Sequence, residues 1–193
     1  MAFKLIKEKN PVNEDVKVPF WANILGSGLF IGYVPFAQGT AGSFLAFIIY
    51  LIPGISEWYY LLPLILILFF IGLKASDKMR LRYGEDPPEV TIDEIAGQLF
   101  TYLIGALVFV IFFKYKSFDP DLRFTTKIVF AFIGFLVFRF FDIVKIEPAK
   151  YFDTKNNGPG IMLDDIISGF YAGIISPVVT HFLWYKFLIR FLG

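Results

Sequence analysis

The chain has 193 residues, 56% hydrophobic, 20% aromatic and only 18% charged, more apolar surface than a soluble domain of this length can hide. A formal net charge of +1 leaves no concentrated basic face for nucleic acid, and the lack of cysteine excludes disulfides, thiolate metal sites and a cysteine nucleophile. The composition is that of an all-α integral membrane protein of one domain, residues 1–193.

Residues 1–18 form a polar N-terminal segment. Its charges are spread along its length and it lacks the unbroken apolar core of a signal peptide, so it is expected to be retained. The next stretch, FWANILGSGLFIGYVPFAQGTAGS, is apolar but broken by Gly26, Gly28, Gly32, Pro35, Gly39 and Gly42. It reads as an interfacial or re-entrant segment, because irregular backbone survives at membrane depth only where protein or a water-filled cavity covers it.

Five apolar stretches follow at 41–55, 59–73, 95–113, 128–141 and 166–188, to be compared with the ~20 residues that an α-helix needs to cross the hydrocarbon. The first two are short, and Pro53 and Gly54 between them suit a helical hairpin. The expected architecture is a compact bundle of about five transmembrane helices plus the N-terminal segment.

Letting the chain alternate sides brings the loop at 38–43, the charged segment 74–94, the segment 139–165 and the start of the last helix to one membrane face. Asp93 and Glu94, Arg139, Asp142 and Lys145, and Asp164 and Asp165 thus emerge together. Carboxylates beside hydrocarbon cost several kcal/mol unless neutralised, so their meeting points to a divalent cation with basic neighbours. Asp93, Glu94, Asp142, Asp164 and Asp165 are the candidate metal ligands.

Each piece also has a local explanation. Thr91 with Glu94 fits a capping box, acids in a first turn gain from the helix dipole, and Arg139, Asp142 and Lys145 at three-residue spacing suit a salt-bridge ladder. Caps do not require doubled acids at two helix starts, nor Asp142 at a helix C-terminus, where its charge opposes the dipole. His181, the single histidine, is expected to be a hydrogen-bonded interior residue rather than a ligand.

The blocks GYVPFAQGTAGS, TIDEIAGQ, FRFFDIVKIEPAKYFD and GPGIMLDDIISG, in this order and spacing, resemble the signature blocks of the phosphatidylglycerophosphatase A family. The resemblance implies a membrane-embedded, Mg²⁺-dependent phosphatase that converts phosphatidylglycerophosphate to phosphatidylglycerol. The residues suit that chemistry. Asp142, Asp164, Asp165 and Glu94 are the candidate catalytic acids, while Arg139 as a bidentate fork and Lys145 as a point charge can grip a phosphate, helped by Thr40 and Ser43 at the start of the first hairpin helix.

A phosphatase with a histidine nucleophile and a second histidine would need two where this chain has one, which favours metal-assisted attack by water; a phospho-aspartate on Asp164 or Asp165 is the alternative mechanism. The alternative functions are a phosphatase of another lipid or prenyl phosphate and a non-enzymatic cation-binding membrane protein. The expected partners are the bilayer and a lipid phosphate.

If the Gly-rich segment does not cross, the motif face collects Lys4, Lys7, Lys9, Lys17, Lys74, Lys78, Arg80, Arg82, Arg139, Lys145, Lys150 and Lys155, twelve of the 18 basic residues. The positive-inside bias then makes that face cytoplasmic, on an inner (plasma) membrane. Single cysteines placed at Lys7, Lys116 and Lys155 test this with a membrane-impermeant reagent on intact cells. Only the Lys116 position is expected to label from outside, and labelling at Lys155 would refute a cytoplasmic site.

Overall fold

The computed structural model describes residues 11–113 and 120–192, with side chains at 11–112 and 124–183. Lys4, Lys7, Lys9, Lys114 and Lys116, and most of the polar 1–18 segment, lie outside the described residues. The described chain is all helical: α1 (Phe20–Gly26), a 3-10 turn at Ile31–Tyr33, α2 (Gln38–Leu51), α3 (Trp58–Tyr83), α4 (Ile92–Phe113), α5 (Pro120–Val144), α6 (Ala149–Asp153) and α7 (Gly158–Leu192).

The five expected helices correspond to α2, α3, α4, α5 and α7; α5 begins earlier than the expected residue 128, at Pro120, and the end of α3 and the start of α7 are displaced for identifiable reasons. Helix α3 runs past residue 73 to Tyr83 because nothing breaks it before Gly84, which has φ +90°, and because Gly72, Ala75, Ser76 and Met79 recur at helical spacing on a buried face. Helix α7 starts well before residue 166. Its first-turn donors are satisfied in advance: Gly160 N donates to Asn157 Oδ1 at 2.8 Å and Gly158 N to Asp77 Oδ1 of α3 at 2.8 Å. Asp164 and Asp165 therefore lie inside the helix rather than at its mouth.

Among the described residues three helices are long and apolar enough to cross a membrane: Trp58–Tyr83, Ile92–Phe112 and Gly158–Leu183. Of the five spans expected, α2 has only 14 residues, about 21 Å of helix. Helix α5 has its apolar run bounded by Lys127 and by Arg139 and Asp142. The Gly-rich segment holds only the 7 residues of α1, about 10 Å, before the chain turns at Leu29 and Phe30, with φ +60° and +69°. It does not cross as a helix. Instead α1 packs on α3, Thr91 N donates to Gly26 O at 2.9 Å, and Phe20, Leu29 and Phe36 are left exposed.

Helix α4 is central, packing on α7 along its length and also touching α2, α3 and α5. A cluster around Tyr50, Leu61, Leu99, Tyr102 and Phe130 fills the end away from the acids, where the rings of Tyr50 and Tyr102 stack 4.2 Å apart. A second cluster, with Met79, Val90, Ile92 and Met162, lies under the acidic end. Between α4 and α7 the two backbones touch: a side chain at Gly97 would meet the Asp165 carbonyl at 2.6 Å, and one at Gly169 would collide with the Gly97 carbonyl. Small residues at such a crossing let the helices approach and gain packing that lipid cannot supply.

Gly169→Val is accordingly expected to force the crossing apart at a cost of about 1–3 kcal/mol. This should lower the unfolding midpoint of the detergent-solubilised protein by about 2–10 °C. An unchanged midpoint would show that the α4–α7 contact is not close.

Candidate active site

The acidic ends of α4, α5 and α7 meet at one end of the bundle, and five acidic residues there are buried: Asp93, Glu94, Asp142, Asp164 and Asp165. They separate into two kinds. Carboxylate oxygens of Asp93, Glu94 and Asp165 lie within 4.8 Å of one another. Asp142 and Asp164 are engaged by cations: Arg139 Nη1 contacts Asp142 Oδ2 at 2.5 Å, and Lys145 Nζ reaches Asp164 Oδ2 and donates to Asp153 Oδ1 at 2.7 Å.

The capping box that would explain Glu94 locally is not formed. Thr91 Oγ1 finds no hydrogen-bond partner, and the Thr91 N–H that Glu94 would take in such a box goes to Gly26 O. Glu94 is thus released from capping, and its Oε2 is buried with no partner. The salt-bridge ladder is realised only in its first rung, Arg139 with Asp142. Lys145, just beyond the end of α5 and held at φ +45°, turns its ammonium across to α7 instead. Burial alone would lower the Lys145 pKa, but the carboxylates of Asp164, Asp165 and Asp142 outweigh it and hold the ammonium well above its ordinary value. A left-handed backbone at a non-glycine residue costs about 1–3 kcal/mol and is tolerated here where it directs this charge.

Helix α2 supplies the other wall. Arg139 Nη1 donates to Ser43 Oγ at 3.5 Å, and Ser43 Oγ donates to Gly39 O at 2.9 Å. A methyl group at Gly39 would sit 2.5 Å from Glu94 Oε1 and 3.1 Å from Arg139 Nη1, so only glycine lets the start of α2 approach both. The N-terminus of α2 has no side-chain cap, with Ala37 at φ +53°, so first-turn N–H groups point out of the helix beside Arg139. Thr40 is exposed on that turn, whereas Ser43 is buried against Arg139. His181 is also exposed, on the surface of α7, and not interior as expected from the sequence.

Three further residues were not among the candidates drawn from the sequence, although Gln98 and Asp153 close two of the signature blocks. Asp153 shares Lys145, Asp77 holds the first N–H of α7, and Gln98 is buried one helical turn beyond Glu94. Gln98 carried a sequence signal in its place in the TIDEIAGQ block and its four-residue spacing from Glu94, Asp153 in its place in the FRFFDIVKIEPAKYFD block, and Asp77 carried none.

The Asp93, Glu94 and Asp165 group fits a hard divalent cation. All its donors are carboxylate oxygens, they are buried and close, and the partnerless Glu94 Oε2 is ready to accept a ligand or a donor. Partly buried cations to one side and uncapped helix N–H groups to the other make a setting for a phosphate.

Comparison with known proteins gives a consistent picture. The family profile for phosphatidylglycerophosphatase A matches residues 24–180. A Bacteroides thetaiotaomicron protein, provisionally named a phosphatidylinositol-3-phosphatase, is 32% identical over 160 residues, covering 80% of this chain and 91% of its own. The phosphatidylglycerophosphatase A of Escherichia coli is 25% identical over 181 residues, 93% of this chain and 92% of its own. That of Haemophilus influenzae is 45% identical over 51 residues, 26% of this chain and 31% of its own. No solved structure matches the chain.

Manganese provides a direct reading of the carboxylate group. Asp165→Asn is expected to weaken Mn²⁺ binding to the purified protein at least about tenfold, followed by electron paramagnetic resonance of the free ion. Undiminished binding would exclude this group as the cation site.

Proposed function

The chain belongs to the phosphatidylglycerophosphatase A family, and from that premise we propose that it is a Mg²⁺-dependent phosphatidylglycerophosphatase of the inner membrane, working at the cytoplasmic face to supply phosphatidylglycerol. By its family it is a lipid phosphatase, a phosphoric monoester hydrolase. The observation that best supports the finer reading is the buried Asp93–Glu94–Asp165 group lying beside an Arg139 that α2 approaches through Gly39.

In this reading Asp93, Glu94 and Asp165 hold the cation, which when bound neutralises charge on the phosphoryl oxygens. Arg139, oriented by Asp142, grips the phosphate through its guanidinium fork, and the first-turn N–H groups of α2 with Ser43 complete the cradle. Lys145, held between Asp164 and Asp153, supplies a second positive charge at the rim. Water attacks phosphorus: its oxygen forms the new P–O bond, the bond to the glycerol oxygen breaks with its electron pair, and the proton lost by water passes through a carboxylate of the group to the departing oxygen. Burial of the acids excludes bulk water from competing for these charges. Helices α2 and α5 complete the membrane-embedded bundle around the three long helices, and the exposed Phe20, Leu29 and Phe36 seat the N-terminal segment in the interface.

The relative provisionally named for phosphatidylinositol 3-phosphate supports a second substrate reading, in which the same site serves a different phosphorylated head group. Phosphate release by purified protein in detergent distinguishes the two when phosphatidylglycerophosphate, phosphatidylinositol 3-phosphate and a prenyl phosphate are compared. Phosphatidylglycerophosphate is expected to be preferred and EDTA to abolish turnover. Asp142→Asn, Asp164→Asn and Asp165→Asn are each expected to lower kcat at least about 100-fold, with His181→Ala near wild type. Full turnover after metal stripping, or a lethal His181 change, would overturn the assignment.

A further inference from the structure

Gln98 is fully buried in α4, and neither its Oε1 nor its Nε2 has a hydrogen-bond partner. A buried amide in this condition is rare and costs free energy, so its retention calls for a function. Partnerless buried atoms of the site just described include Glu94 Oε2, an acceptor, and Arg139 Nε, a donor. Gln98 offers a donor nitrogen, with two N–H groups, and an acceptor oxygen, which complement them.

The fold brings the three together. Gln98 follows Glu94 by four residues, so the two share a helix face, and side chains on a helix slope toward its N-terminus, which carries the Gln98 amide toward Glu94. Helix α5 runs antiparallel beside it: Tyr102 Oη donates to Ala131 O at 3.0 Å, and a side chain at Gly97 would meet Phe138 at 2.9 Å. Gln98 therefore lies between two levels at which α4 and α5 touch, with Arg139 next to the upper one. The Arg139 guanidinium reaches Asp142 and the start of α2 at the level of Glu94, the level toward which the Gln98 amide slopes. Glu94 Oε1 and both terminal nitrogens of Arg139 already converge on one point, within 3.2 Å of where a Gly39 side chain would begin.

We propose that Gln98 is a positioning residue whose amide links the cation-holding acid to the phosphate-holding base: Nε2–H donates to Glu94 Oε2 and Oε1 accepts from Arg139 Nε–H once the site is loaded. The roles of Glu94 and Arg139 rest on the phosphatase reading. The bridge fixes which Glu94 oxygen faces the cation and aims the Arg139 fork, so binding of the cation and binding of the phosphate are mutually reinforcing.

The test is Gln98→Met, which keeps length and apolar volume and removes both hydrogen-bonding ends. On the full-length protein in detergent, Mn²⁺ affinity by electron paramagnetic resonance is expected to fall about 10- to 100-fold, with KM for phosphatidylglycerophosphate raised. The unfolding midpoint of the metal-free protein is expected to hold or rise, because an unsatisfied buried amide has gone. A purely structural Gln98 gives the opposite pattern, a lowered midpoint with unchanged Mn²⁺ affinity and KM, and that result overturns the bridge. A cycle with Arg139→Lys should be non-additive in KM; additivity overturns it too. Should Gln98→Met not fold, Gln98→Asn, one methylene short, is expected to weaken Mn²⁺ in the same direction, and wild-type affinity there counts against the proposal. Wild-type protein that binds Mn²⁺ but releases no phosphate from any lipid sinks the phosphatase reading, while weakened Mn²⁺ binding in Gln98→Met would still uphold the link to Glu94.

Discussion

Three carboxylates drawn within 4.8 Å of one another inside a helical bundle repel strongly. Two like unit charges 4 Å apart are worth about 4 kcal/mol at the effective dielectric of a protein near its surface, and more as water is excluded. Holding Asp93, Glu94 and Asp165 in this arrangement takes packing favourable enough to resist the repulsion, and either a proton or a bound cation would relieve it. Much of the rest of the molecule serves one of these two ends.

The packing comes from helix contacts that do not depend on the charges. Gly97 and Gly169 let α4 and α7 touch backbone to backbone directly beneath the acids, while the stacked Tyr50 and Tyr102 and the Phe130 ring fill the far end. The start of α7 is tied to α3 through Asp77, and the start of α4 is tied to the N-terminal segment through Gly26. Both acid-bearing helix ends are thus anchored by groups outside the site. Because the Thr91 N–H is taken by Gly26, Glu94 is not consumed as a cap and its carboxylate stays with the group.

The remaining two acids neutralise and aim the bases. A buried cation without a partner is expensive, so Arg139 and Lys145 are stable here only because Asp142 and Asp164 accompany them. Asp153 adds a second acceptor for Lys145. The acids thus divide between a close group of three and two that pair with the basic residues, a division that the proposed function assigns to a metal ion and a phosphate side by side. In the same logic Gln98 is the neutral member that can join the two halves without adding charge.

What the amino-acid sequence determined by itself was the all-helical class, the membrane setting, the helix break at Pro53 and Gly54, and the gathering of the acidic motifs at one end. These follow from hydropathy, helix-breaking residues and the parity of chain reversals, all of them local or additive along the chain. The packed hairpin expected at that break does not form, since α2 lies on α4 and α5 and not on α3. Helix limits were less legible, since α3 and α7 are extended by burial of one face and by capping from distant Asp77, neither visible in a window of residues. The tertiary structure alone decided which acids share a site. Asp164 and Asp165 are adjacent in sequence, yet successive residues on a helix point about 100° apart, so one meets Lys145 and the other joins Asp93 and Glu94. That choice depends on the rotation and closeness of α4 against α7, fixed by the glycine contact and by packing between residues far apart in the chain.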